Sequence, residues 1–358
     1  MKTHTHGGDV YRHTNVIDFS ANCNPLGTPQ RIKDAISKAA DQIVHYPDVH
    51  CEALIKALAK YEQVEEEQLI CGNGAADLVF SLALACKPKR ALLPAPTFAE
   101  YEQALETVGC QVNYYQMQEQ DGFRIGRQLL EQITEEIDML FLCNPNNPTG
   151  LLVSCSFLEE VLMRCREKHV FLVLDECFVD FVENPEAHTM KPFLHSYENF
   201  FILKAFTKRY AMAGVRLGYG LCSNRQLLDQ IRCVTQPWNV STLAQEAGIA
   251  ALQENAYVEQ AMRLVHEENP YLKEKMKEIG LTVYDSQANY IFFKGPCRLK
   301  EYCLEQGILI RDCSNYVGLQ EGFYRIAVRT RWENDQLLRV LSKAVKELAC
   351  PSGGRDKA

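Results

Sequence analysis

Three short apolar runs each end at polar residues suited to chemistry. Asp138–Cys143 stops at Asn144-Pro-Asn-Asn-Pro-Thr-Gly150, His169–Leu174 stops at Asp175-Glu176, and Phe201–Leu203 leads into Thr207-Lys208. Runs this short and this apolar read as strands buried on both faces, as in a parallel sheet covered by helices. In such sheets ligands bind outside the carboxyl ends of the strands. Asn147, Asp175 and Lys208 therefore converge on one sheet edge, and nothing else in the chain constrains its fold as strongly. Each alone would read as a turn or cap residue, whereas three from separated strands make a candidate site.

The surroundings of Lys208 sharpen that reading. A lone lysine would be a solvated surface residue, but one at a strand end can be partly desolvated and form a Schiff base with an aldehyde. Eight positions on, Arg216 sits within Ala213-Gly-Val-Arg-Leu-Gly218, where glycines allow close backbone approach and an arginine can pair with a phosphate. Further upstream, Leu69-Ile-Cys71 reads as a strand, Gly72-Asn-Gly-Ala-Ala-Asp77 as a glycine turn, and Leu78–Ala85 as a helix. That arrangement presents backbone N–H groups to a phosphate, so Gly74, Ala75 and Ala76 are candidate contacts.

The remaining chain divides by pattern. Residues 1–30 form an irregular arm rich in Gly, His and Asn that closes on Ser20-Ala-Asn-Cys-Asn-Pro-Leu-Gly27. Residues 31–255 hold helices near Pro29–Ala40 and Cys51–Tyr61, broken at His45-Tyr-Pro-Asp48, and then the strands named above. A charged helix over about 256–279 leads to a second domain, 256–350, with strands near 281–284, 290–294, 308–311 and 323–328 and an amphipathic last helix. Residues 351–358 are a polar tail expected to be disordered.

Composition excludes other classes. The formal charge of -8, with no basic run, argues against a nucleic-acid surface. No apolar stretch approaches the ~18 residues that span a bilayer, and Met1–Gly8 has no apolar core of a secretory signal, so a cytoplasmic protein is expected. The 15 cysteines are odd in number and never form Cys-x-x-Cys, so they read as small buried hydrophobes in a reducing compartment, with no metal site.

The segment around Lys208 and Arg216, with the heptapeptide Asn144–Gly150, resembles the class I/II aminotransferase superfamily, and the likeness covers nearly the whole chain. It implies an α/β structure of the pyridoxal phosphate (PLP) fold type I: a large domain with a mostly parallel central sheet flanked by helices, plus a smaller α+β domain. It further implies PLP as cofactor, with Lys208 bonded to its aldehyde, Arg216 and Thr207 on its phosphate, Phe98 stacked on its ring, Asn147 on its ring oxygen and Asp175 on its pyridine nitrogen. A carboxylate there keeps that nitrogen protonated, so the ring can accept electrons. Two positions depart from the pattern: Ala205 replaces a serine or threonine on the phosphate, and Phe178 replaces a tyrosine on the ring oxygen.

Arg311 and Arg325 resemble the arginine pair of histidinol-phosphate aminotransferases and of threonine-phosphate decarboxylases of cobalamin synthesis. In those families the later arginine meets the α-carboxylate and the earlier one the phosphate side. Tyr46 matches a tyrosine that reaches the neighbouring subunit's site, which implies a homodimer. His6-Gly-Gly8, the Ser20–Gly27 string, Phe178 and Arg329 look more like the decarboxylase branch, with His6 and Asn24 as candidate substrate contacts. The expectation is decarboxylation of L-threonine phosphate or serine phosphate; the alternative is transamination of histidinol phosphate or a related amino acid. The two reactions differ in which α-carbon bond stands perpendicular to the ring, a geometry that sequence does not set. A PLP-binding regulator would need a DNA-binding domain, for which there is no room before Leu69.

Overall fold

The computed structural model describes residues 6–348, so the expected disorder of 351–358 falls outside it. Its largest feature is a seven-stranded sheet in the order Leu69–Gly72, Gly218–Leu221, Phe200–Ala205, Phe171–Asp175, Met139–Cys143, Arg90–Ala95, Gln111–Gln116. Gly218–Leu221 runs antiparallel to both its neighbours, and all the other pairings are parallel. Side chains of a strand alternate between faces, and here both faces are buried. Leu140, Leu142, Leu172, Leu174 and Ile202 enter one apolar cluster, while Met139, Phe141, Cys143, Val173, Phe201 and Leu203 enter another. Hence the three diagnostic runs are uninterrupted in apolarity rather than alternating.

Register then decides function. Cys143 lies opposite Asp175, and Asp175 opposite Leu203, so the three strand ends are level along one edge. Arg90–Ala95 and Gln111–Gln116 pair along their whole length, polar ends included, at the edge of the sheet. A single helical turn, Leu129–Gln132, precedes Met139–Cys143 in the chain.

The helix Asn255–Glu278 carries the chain to a four-stranded antiparallel sheet ordered Arg311–Asp312, Phe323–Ala327, Tyr290–Lys294, Thr282–Val283. The strand expected over 308–311 is split. Ile308–Leu309 pairs in parallel with Ile17–Asp18 of the N-terminal arm, and Arg311–Asp312 pairs with Phe323–Ala327. Phe19 of the arm is accordingly buried in the cluster formed by Leu272, Ile291, Ile326 and Leu341. The arm is thus stitched to the second sheet, which brings its next residues over the edge of the first. Every described cysteine is a free thiol, and among the described residues no group of His, Cys, Asp and Glu could hold a metal ion. No helix among them is long and apolar enough to cross a membrane.

Candidate active site

A cavity of about 440 Å³ opens where the carboxyl edge of the large sheet meets the arm and the second sheet. Of the residues expected there, Ala75, Ala76, Phe98, Asn147, Asp175, Thr207, Lys208, Arg216, His6, Arg311 and Arg325 all line it. Thr207 and Lys208 lie on a helical turn, Phe206–Arg209, that follows the strand Phe200–Ala205 directly. Ala205 and Phe178, the two departures from the family pattern, also face the cavity.

Gly74 stands behind that wall and explains its own identity. Its φ is +84°, a conformation that disfavours a side chain, and a Cβ there would lie 2.5 Å from an Arg216 guanidinium nitrogen. Glycine therefore lets Arg216 close over the N-terminus of the helix Ala75–Cys86, whose free N–H groups and dipole favour an anion.

Asp175 is the electrostatic centre of the floor. Burial pushes its carboxyl above the usual range, against hydrogen bonds from Cys177 and Tyr101. Among the described residues no lysine, arginine or histidine lies within ion-pair distance of it. A dry carboxylate of this kind calls for a cation, and the protonated nitrogen of a pyridine ring would supply one. With Lys208 for an aldehyde and the Arg216–helix cup for a phosphate, the donor set fits pyridoxal phosphate.

Across the cavity, Arg325 donates to the side-chain oxygen of Asn147 and to the backbone oxygen of Ser20, the latter at 2.9 Å. Arg311 donates to Asn315 Oδ1 at 2.9 Å, and Tyr316 lies 3.5 Å from Asn147 Oδ1 through its hydroxyl. At the mouth, His6 Nδ1 is 3.1 Å from Glu100 Oε1. That hydrogen bond raises the imidazole pKa above its ordinary value, against the opposing effects of partial burial and of Arg311.

Two expected substrate contacts are not in this cavity. Asn24 is buried, but its amide donates to the backbone oxygen of Arg209 at 2.8 Å and its oxygen accepts from Leu26 N–H at 3.0 Å. It fastens the arm to the lysine-bearing turn, since its own N–H donates to Lys208 O at 2.9 Å. The arm asparagine that does face the cavity is Asn22, whose side-chain oxygen is buried without a partner. Tyr46 is 78 % exposed and stacks on Trp238 with ring centroids 4.5 Å apart, away from this chain's own cavity.

Sequence reasoning also passed over Ser20, Glu100, Asn315 and Tyr316, which line the cavity, and Tyr101 behind it. The Ser20–Gly27 string carried a signal for Asn22, but not which of its two asparagines would face the cavity. The others are polar or aromatic residues with no local mark.

A mostly parallel sheet, a lysine and a carboxylate level at its edge, and an arginine-closed helix N-terminus define a class. The chain belongs to the family of class I and II aminotransferases, whose profile matches residues 14–341. Among its relatives, a threonine-phosphate decarboxylase from Salmonella typhimurium is 37% identical over 356 residues, covering 96% of this chain and 97% of that protein. A histidinol-phosphate aminotransferase from a Geobacillus species is 32% identical over 346 residues, covering 94% and 92% respectively. The crystal structure of the histidinol-phosphate aminotransferase from Clostridium acetobutylicum superposes with a TM-score of 0.86 at 28% identity, covering 92% of this chain and 99% of that one.

Proposed function

We propose that this chain is a pyridoxal phosphate-dependent decarboxylase of L-threonine O-3-phosphate or serine phosphate. The observation that carries this reading is the cluster of His6, Asn22, Arg311 and Arg325 over the same cavity as Lys208 and Asp175. Those groups suit a small substrate with two anionic ends: Arg325 beside Asn147 for the α-carboxylate, and Arg311, Asn22 and His6 for the phosphate. The 37% identity to a named threonine-phosphate decarboxylase supports the same choice.

When bound, pyridoxal phosphate supplies a ring that accepts the electron pair released as the bond from the α-carbon to the carboxylate breaks. The protein's share is to place that bond. Arg325 is held from two sides, by Asn147 and Ser20, so a carboxylate resting on it takes one orientation. The arm residues Ser20–Asn22 line the same cavity and would cover a substrate bound there. A proton replaces carbon dioxide at the α-carbon, and Lys208 is the base–acid nearest in role.

Transamination of histidinol phosphate is the second reading, favoured by the 32% identity to the Geobacillus enzyme and by the Clostridium superposition. A homodimer is part of either reading. Ile43, Val44, Tyr46, Val49 and Trp238 are exposed large apolar residues, a surface that a second copy would cover.

The test is to incubate PLP-loaded protein with L-threonine phosphate, without any keto acid, and measure carbon dioxide. Catalytic release is expected and is lost in Lys208→Ala. No release, with amino transfer from histidinol phosphate to 2-oxoglutarate, would replace the decarboxylase by the transaminase.

A further inference from the structure

Tyr101 lies on the helix Ala99–Glu106, three residues beyond Phe98, and is fully buried. Its ring stacks on Phe141 at 4.9 Å and meets Phe98 edge-on at 5.5 Å. Phe98 is a wall of the cavity, and Phe141 belongs to the strand that ends at Cys143, another wall residue. Held by both, the ring aims its hydroxyl at Asp175 and donates to Oδ2 at 2.5 Å. The other oxygen, Oδ1, accepts the backbone N–H of Cys177 at 2.9 Å. Two donors from two elements therefore fix the plane of this carboxylate.

We propose that Tyr101 is a positioning residue for the reaction, acting through Asp175: it holds the carboxylate in one orientation and in its ionised form, opposite the pyridine nitrogen of the cofactor. This rests on the cofactor reading above. A buried carboxylate without a cation drifts toward its neutral form, and each hydrogen bond donated to it favours the anion. A neutral Asp175 would not keep a proton on the ring nitrogen, so the ring would accept electrons less well.

The groups around Asp175 leave this task to Tyr101 and Cys177. Glu100, from the same helix as Tyr101, pushes Asp175 the wrong way. The Cys143 and Cys177 thiols are driven well up by burial and by Asp175 itself, so they stay neutral. Tyr101 stays a donor for the same reason, since burial and the adjacent carboxylate lift its phenol well above the ordinary tyrosine value. Lys208, also on the cavity wall, is committed to the aldehyde in this reading.

The experiment compares wild type, Tyr101→Phe, Asp175→Asn and the double variant. Unloaded protein is titrated with pyridoxal phosphate by absorbance, and the pH midpoint of the bound cofactor's absorption is measured. Tyr101→Phe is expected to weaken cofactor binding about tenfold, the scale of one charge-assisted hydrogen bond, and to move the midpoint by about one unit. It should lower kcat with little change in KM. On the Asp175→Asn background the same change should do nothing further. A wild-type binding curve and midpoint in Tyr101→Phe would overturn the proposal, as would effects that add in full on Asp175→Asn, the mark of a packing defect. If Tyr101→Phe alone does not fold, the comparison on Asp175→Asn decides: an unchanged midpoint supports the coupling and a moved one overturns it. Wild type without any cofactor band would overturn the cofactor reading and this proposal with it.

Discussion

Arg325 joins two parts of the protein that are 178 residues apart in sequence, donating from the second sheet to the side chain of Asn147 in the loop after Met139–Cys143. Its second guanidinium nitrogen donates to Ser20 O, so the arm, the loop and the sheet share one cation. The cavity exists in its present shape only while all three are in register.

Replacing Arg325 by lysine should therefore cost more than a charge-conserving change suggests. An ammonium cannot reproduce a fork that serves two acceptors and a substrate carboxylate. With L-threonine phosphate, kcat/KM is expected to fall about a hundredfold or more, while cofactor affinity measured by absorbance stays within a few-fold. A proportional loss of both would show that Arg325 only supports the fold.

The contact between His6 and Glu100 should depend on pH. The imidazole's folded pKa is raised, chiefly by the hydrogen bond to Glu100, so this stabilisation is fully present below the ordinary histidine value of 6.5 and disappears as pH rises through the raised value. Protection of the arm from a protease should follow that titration and become independent of pH in Glu100→Gln. Because His6 is more than half exposed, raising the salt should weaken the effect.

Beneath the sheet, Glu62 accepts from the Tyr219 hydroxyl and from Lys191 at 3.0 Å, and lies 3.6 Å from Lys204. Burial pushes its carboxyl up, but Lys204, Lys191 and Tyr219 outweigh that and bring it down to about 2. Its contribution is thus complete above the unfolded value of 4.5 and lost as pH falls toward 2. Glu62→Gln takes from buried Lys204 the carboxylate that acts on it most strongly, leaving Glu176 at 3.9 Å and the influence of Asp180, and should destabilise by about 3–5 kcal/mol in urea unfolding at pH 7. The gap between variant and wild type should narrow from pH 5 to pH 3.

Val44, 79 % exposed beside Tyr46, tests the homodimer. Val44→Asp places a charge among these exposed apolar residues and should shift sedimentation toward the monomer. If Tyr46 completes a neighbour's site, cofactor affinity should fall in parallel. An unchanged sedimentation profile would move the interface elsewhere.

How much of this was legible in sequence follows from the range of the interactions involved. Asn147, Asp175 and Lys208 were found from single segments, because a strand buried on both faces is apolar throughout and its first polar neighbours mark the sheet edge. Gly74 and the helix after it were local as well, as a strand, a turn and an N-terminus in succession. Which of Asn22 and Asn24 faces the cavity was not local. That choice depends on Ile17–Asp18 pairing with Ile308–Leu309, almost three hundred residues away, and on Asn24 bonding to the turn that carries Lys208 and Arg209. Tyr101 and Glu100 carry no mark either, since an ordinary amphipathic turn would hold the same residues, and only packing against Phe141 and the arm aims them. The sequence by itself therefore determined the strands and the groups at their ends, where side-chain alternation and turn chemistry act within a few residues. The tertiary structure decided which arm residue, which arginine and which tyrosine meet those groups, because hydrogen-bond register between distant segments cannot be read from either segment alone.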